Sequence, residues 1–87
     1  MIMGVNRVFE HAGREFHVQC EDLGGSESCF EVRVYDKGAV LWRKKVSYAD
    51  VVARGLGKAE QDEALNGLME KTIFTVQAAI AKGKIGA

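Results

Sequence analysis

Two cysteines and two histidines are the residues of this chain best suited to metal, redox or nucleophilic chemistry. Their spacing argues against all three. The eight residues between Cys20 and Cys29 do not resemble the short paired spacing of zinc sites. His17 and Cys20 stand three apart in a segment that alternates apolar and polar residues, so on a strand they point to opposite faces. The same parity separates the cysteines: Cys20 shares a face with Phe16 and Val18, whereas Cys29 lies opposite Phe30. A disulfide needs Cβ atoms about 4 Å apart, so two free thiols are expected, with no metal between them. A nucleophile–base pair would have to join Cys29, Ser26 or Ser28 to His11 or His17. His11 falls at a hairpin tip and His17 on the outer face of a sheet, and no third group orients either. Glu21-Asp22 and the Glu60, Asp62, Glu63 cluster read as a loop and a solvated helix start rather than paired acid and base. Gly24-Gly25 lacks the lysine and the helix of a phosphate loop. No catalytic residue, cofactor or metal ligand is assigned.

The elements that would position such residues are legible from alternation and turn chemistry. Val5 to His11 and Arg14 to Glu21 read as strands around Ala12-Gly13. A two-residue loop there pairs Phe9 with Phe16, and a bulged loop pairs Val8 with Phe16. The glycine sits where a bulge needs it, so the bulged form is preferred and Phe9 is expected on the outer face. Cys29 to Tyr35 alternates again, with Phe30, Val32 and Val34 on one side. Asp36-Lys37-Gly38 reads as a type I turn closed by a glycine bulge, which pairs Tyr35 with Ala39, Val34 with Val40 and Val32 with Trp42. The fourth strand runs from Ala39 to Val46. Ser47-Tyr-Ala-Asp50 begins a short helical turn that Gly55 and Gly57 stop. The fold class that results is α+β: a four-stranded antiparallel meander followed by one long helix, in the order ββββα, with residues 1–87 as a single domain.

The long helix runs from near Lys58 to Lys82, with Gly83 as its C-cap, acidic residues in its first turns and Lys82 and Lys84 at its end, as the macrodipole favours. Leu65, Leu68, Met69, Thr72, Ile73, Val76, Ala79 and Ile80 make a broad apolar stripe at 100° per residue. Phe74 lies nearly opposite, beside Gly67, Lys71, Ala78 and Ala81: a large knob among small residues. Three readings compete for it. The segment from Val51 to Leu56 folds back over it, a second copy of the chain packs on it, or it stands bare. The first two rank equally and above the third, because burying a phenylalanine is worth about 2 kcal/mol.

Composition bounds the partners. An apolar fraction of 47% suits a globular chain, and 12 basic residues against 12 acidic give a net charge of zero. Proteins that bind phosphate backbones usually carry a basic excess. A local patch remains: Arg33, Tyr35, Leu41, Arg43 and Lys45 are expected on the sheet face away from the helix, where basic and aromatic residues can hold single-stranded nucleic acid. Glu15 and Glu31 dilute it. Val5, Phe9, Tyr35 and Leu41, with His17 between them, give the same face an alternative use as a protein contact. Met1-Ile-Met-Gly is too short for a signal peptide, either Met1 or Met3 could be the start, and no run reaches the roughly 20 apolar residues of a membrane helix. The expectation is a cytoplasmic protein.

Phe16-x-Val18-Gln19-x-Glu21-Asp22-x-Gly24, then Gly38-x-Val40-Leu41, then Lys45-x-Ser47-Tyr48, resembles a family of short uncharacterised bacterial proteins that look like a β-meander followed by a helix. The resemblance spans most of the chain. It implies the same fold and a bacterial origin, and it carries no activity or site residue. The leading expectation is a small non-enzymatic interaction module that self-associates through Phe74, Ala78, Ala81 and Gly67. The alternative is single-stranded nucleic-acid binding through Arg33, Tyr35, Arg43 and Lys45.

Overall fold

Alternation and turn chemistry produce the expected ββββα order. The computed structural model describes residues 4–24 and 27–85. Met1, Met3, Gly25 and Ser26 lie outside the described residues, so the start site, the glycine pair and the candidate Ser26 nucleophile are not placed. Strands β1 (Gly4–His11), β2 (Arg14–Asp22), β3 (Cys29–Asp36) and β4 (Ala39–Ser47) form one antiparallel sheet in the order β1-β2-β3-β4. Helix α1 (Ala49–Ala53) and helix α2 (Lys58–Ala81) follow.

Both hairpin turns differ from expectation, and for one reason. Ala12 and Gly13 have φ of 52° and 76°; Lys37 and Gly38 have φ of 53° and 82°. Two positive φ values in succession define a type I′ turn, whose twist matches that of the flanking strands better than a type I turn does. The first loop is therefore two residues long and pairs Phe9 with Phe16. The bulged register is overturned: Val5 and Phe9 turn toward the helix, and Val8 faces out, 56% exposed. The second loop pairs Asp36 with Ala39 and Tyr35 with Val40. The irregularity comes later, between Val34 and Tyr35, where Leu41 is the extra residue of β4. Val34 then faces Trp42, Val32 faces Lys44 and Phe30 faces Val46. The expected pairs Val34–Val40 and Val32–Trp42 do not form, and Val40 belongs to the outer face.

The core lies between the sheet and α2. Phe16, Val18, Cys20, Phe30, Val32 and Val34 line it from the strands, and Leu65, Met69, Ile73, Val76 and Ile80 from the helix. The helix does not sit over the middle of the sheet. It packs chiefly on β1 and β2, and Arg7 of β1 donates a hydrogen bond to the Glu70 carboxylate of α2. Leu68, Thr72 and Ala79, expected in the buried stripe, are half-buried on the side facing β4. The C-terminus of α2 is closed by Gly83, whose φ of 74° lets its N–H donate to the Ile80 carbonyl (3.0 Å) while the Lys84 N–H donates to that of Ala79 (2.9 Å). That turn sends Ile85 back into the core.

Two side-chain clasps fix the ends of the sheet. Arg14 donates from Nε (3.2 Å) and from its terminal nitrogen (2.6 Å) to Oδ2 of Asp36, and its guanidinium lies 4.7 Å over the Phe16 ring. At the opposite end, the Tyr48 hydroxyl donates to Oδ1 of Asp22 (2.6 Å), which also accepts the Gly24 N–H (2.9 Å). The Tyr48 ring stacks on Phe30 at 6.5 Å. Ser47 caps only loosely: its hydroxyl accepts the Ala49 N–H at 3.2 Å, and no side chain caps α1 at Tyr48.

Candidate interaction surfaces

The outer face of α2 is a 24-residue ridge that carries Phe74 in its C-terminal third. Helical geometry turns Leu65, Met69, Ile73, Val76 and Ile80 inward, which leaves Phe74 outward. It is 73% exposed. The Val51–Leu56 segment does not cover it, and that reading is overturned. The reason is local: α1 is short, Gly55 ends it at a φ of 66°, and Val51 spends its side chain on the core. Gly67 and Ala81 are exposed and Ala78 is half-buried. A Cβ built on Gly67 meets nothing within 4 Å, so nothing in the fold requires a glycine there. Glu60 and Glu63 are exposed at the start of this face, and Lys82 and Lys84 at its end.

The outer face of the sheet is ordered in rows by the strand register. Val8, His17, Tyr35 and Val40 form one row across all four strands. Asn6, Gln19, Arg33 and Arg43 form the next, and Glu21, Glu31 and Lys45 a third. Arg33, Tyr35, Arg43 and Lys45 are thus brought together as expected, but the cation of Arg33 is engaged. It donates to Glu21 at 2.7 Å and lies 3.4 Å from a Glu31 oxygen. The second contact satisfies the distance of an ion pair but not the geometry of a hydrogen bond, and the buried Arg33 Nε has no other partner. His17 contacts Glu15 at 3.0 Å. Val5 and Phe9, expected on this face, are absent from it because of the hairpin register.

A third surface was not expected. A groove of about 360 Å³ runs between α2 and β4, with Trp42 and Val46 on one wall and Leu68, Val76 and Ala79 on the other. Among the described residues, the charges that line it are Lys44 and Lys71, with no carboxylate beside them. Simple dimensions could have revealed it. Four strands spaced about 4.8 Å apart are wider than one helix about 10 Å across can cover. Once α2 commits to β1 and β2, the inner side of β4 is left open.

The residues suited to chemistry are not assembled. Cys20 and Cys29 are both buried free thiols, and only Cys20 belongs to the main core. Burial pushes the Cys20 thiol up to about 11, with the Glu70 carboxylate adding to it. Its Sγ lies 4.0 Å from the Met69 carbonyl oxygen, whereas Cys29 Sγ lies 4.0 Å from a Glu27 oxygen. His11 stacks on Phe9 at 6.2 Å. Among the described residues no group of three or more His, Cys, Asp or Glu side chains is placed to hold a metal ion, and no helix is long and apolar enough to cross a membrane. Comparison with protein-family models, curated proteins and solved structures found no match.

Proposed function

We propose that this chain is a non-enzymatic interaction module that pairs with a second copy of itself through the outer face of α2. The observation that carries the reading is Phe74, 73% exposed in the C-terminal third of a long helix and flanked by Gly67, Ala78 and Ala81. Small residues around a large one allow two helices to approach closely while each knob finds space beside the other. Charge supports one orientation. An antiparallel pair sets the Glu60–Glu63 end of one copy beside the Lys82–Lys84 end of the other; a parallel pair sets like charges together. The neutral net charge adds no long-range repulsion between copies.

Size sets the strength. A helix about 36 Å long and 10–12 Å wide offers roughly 400 Å² per copy, half the roughly 800 Å² per partner of a standard interface. An interface of that size falls in the class of weak, reversible contacts. Sedimentation equilibrium across concentrations tests this. The expected result is a mass rising from 9.5 kDa toward twice that value, with Phe74→Asp holding it at one chain. A concentration-independent monomer, or a Phe74→Asp variant that dimerises as well as the parent, overturns it. Single-stranded nucleic-acid binding through Arg33, Tyr35, Arg43 and Lys45 has less support, since Arg33 is shared between Glu21 and Glu31.

A further inference from the structure

The groove between α2 and β4 has a chemistry that the dimer reading does not use. We propose that it binds a single-chain amphipathic carboxylate, with the apolar chain lying along Trp42, Val46, Leu68 and Val76 and the carboxylate held by Lys44 and Lys71. The volume, about 360 Å³, falls within the roughly 300–1,000 Å³ of small-molecule sites. From Leu68 to Ala79 the helical wall runs about 17 Å at 1.5 Å per residue, an extended slot suited to a medium-length acyl chain rather than to a compact ring.

The charge pattern selects an anion. Lys44 and Lys71 are both exposed, but Lys44 pairs with buried Val32 and shares its side of β4 with Trp42 and Val46. Lys71 meets the same groove from α2. Neither ammonium makes an ion pair among the described residues, although the chain holds as many acidic as basic residues and pairs Arg7, Arg14 and Arg33 with carboxylates. The hydroxyls of Thr72 and Thr75 donate inward, to the Leu68 and Lys71 carbonyls, so they offer no donor to compete for the anion. Two cations beside an apolar trough complement a group that is anionic at one end and hydrocarbon for the rest. A lysine facing inward on an edge strand also guards against strand addition. That role needs no ligand, and the experiment separates the two.

Trp42 is the only tryptophan of the chain, so its emission reports the groove directly. The probe is decanoate, held below its micellar concentration, with decanol as the uncharged control. A saturable shift of Trp42 emission with decanoate is expected, with decanol binding about tenfold or more weakly, the scale of one lost charge-assisted contact. The Lys44→Gln/Lys71→Gln double variant is expected to lose a similar factor for decanoate and none for decanol. Phe74→Ser, which removes the knob without placing a carboxylate one turn from Lys71, is expected to bind as the parent does, which keeps the result separate from the dimer. No saturable shift, or equal binding of acid and alcohol by the parent, overturns the proposal. The acid–alcohol comparison stands even if the double variant fails to fold.

Discussion

At the residue scale, Tyr48 and Asp22 carry more of the fold than their positions at the ends of elements suggest. Asp22 accepts two hydrogen bonds on one oxygen, and the Tyr48 ring covers Phe30. Tyr48→Phe keeps the stacking and removes one charge-assisted hydrogen bond, so a loss of about 1–2 kcal/mol is expected in urea unfolding. The pH dependence has a definite sign. Burial, and then the bond to Asp22, raise the Tyr48 hydroxyl from 10.0 to about 12. A raised folded-state value means that the native protein holds the proton longer than the unfolded chain does. The associated stability is fully present below pH 10 and is lost as pH rises toward 12. The advantage of the parent over Tyr48→Phe is expected to shrink across that window; an advantage that grows would contradict the assignment. Ala12 is a second point of strain, since an alanine at φ 52° costs about 1 kcal/mol in the left-handed region. Ala12→Gly relieves it at the expense of added freedom in the unfolded chain, so a gain of up to about 1 kcal/mol in unfolding is expected. A loss would mean that the turn is not type I′.

At the scale of elements, α2 divides into a face that serves the fold and a face that does not. Gly67 separates the two roles. It lies in the interior of a long helix with open space around it. Gly67→Ala is expected to raise the thermal stability of the monomer by about 1 kcal/mol through helix propensity alone, yet to weaken self-association by holding the two helices apart. Stabilisation without a change in mass would place the contact elsewhere. The strand order, the side-chain parity of β2 and β3, the free cysteines, the limits of α2 and the glycine cap at Gly83 were all legible in the sequence, because each follows from a local pattern. The hairpin registers were not. Ala12-Gly13 suits a two-residue turn and a bulged one equally, and a one-residue slip exchanges Phe9 for Val8. Long-range packing settles that choice: the buried register places Val5 and Phe9 against the core and brings Arg7 to Glu70. The bulge beside Val34 has no glycine to announce it, and it moves Val40 from the core side to the outer face. The position of Phe74 opposite the core stripe was legible; failure of the Val51–Leu56 segment to cover it was not, because that depends on where α1 docks.

At the scale of the whole molecule, shape and surface point the same way. The Cα radius of gyration is 13.7 Å and the long axis 43 Å against 18 Å for the others. A compact chain of this length would have a radius near 12 Å. The elongation follows from a single long helix laid along one side of a small sheet. It leaves a high ratio of surface to core and three open faces: the α2 ridge, the groove beside β4, and the outer sheet with its row of Val8, Tyr35 and Val40. A domain this small has limited stability of its own, so covering one of these faces with a second copy adds a useful fraction of the total. The most direct test is the mass of the parent chain in solution, followed by light scattering from micromolar to several hundred micromolar. Self-association through α2 predicts a rise from 9.5 kDa toward twice that mass, abolished by Phe74→Asp without loss of helicity. A constant 9.5 kDa over that whole range would contradict it.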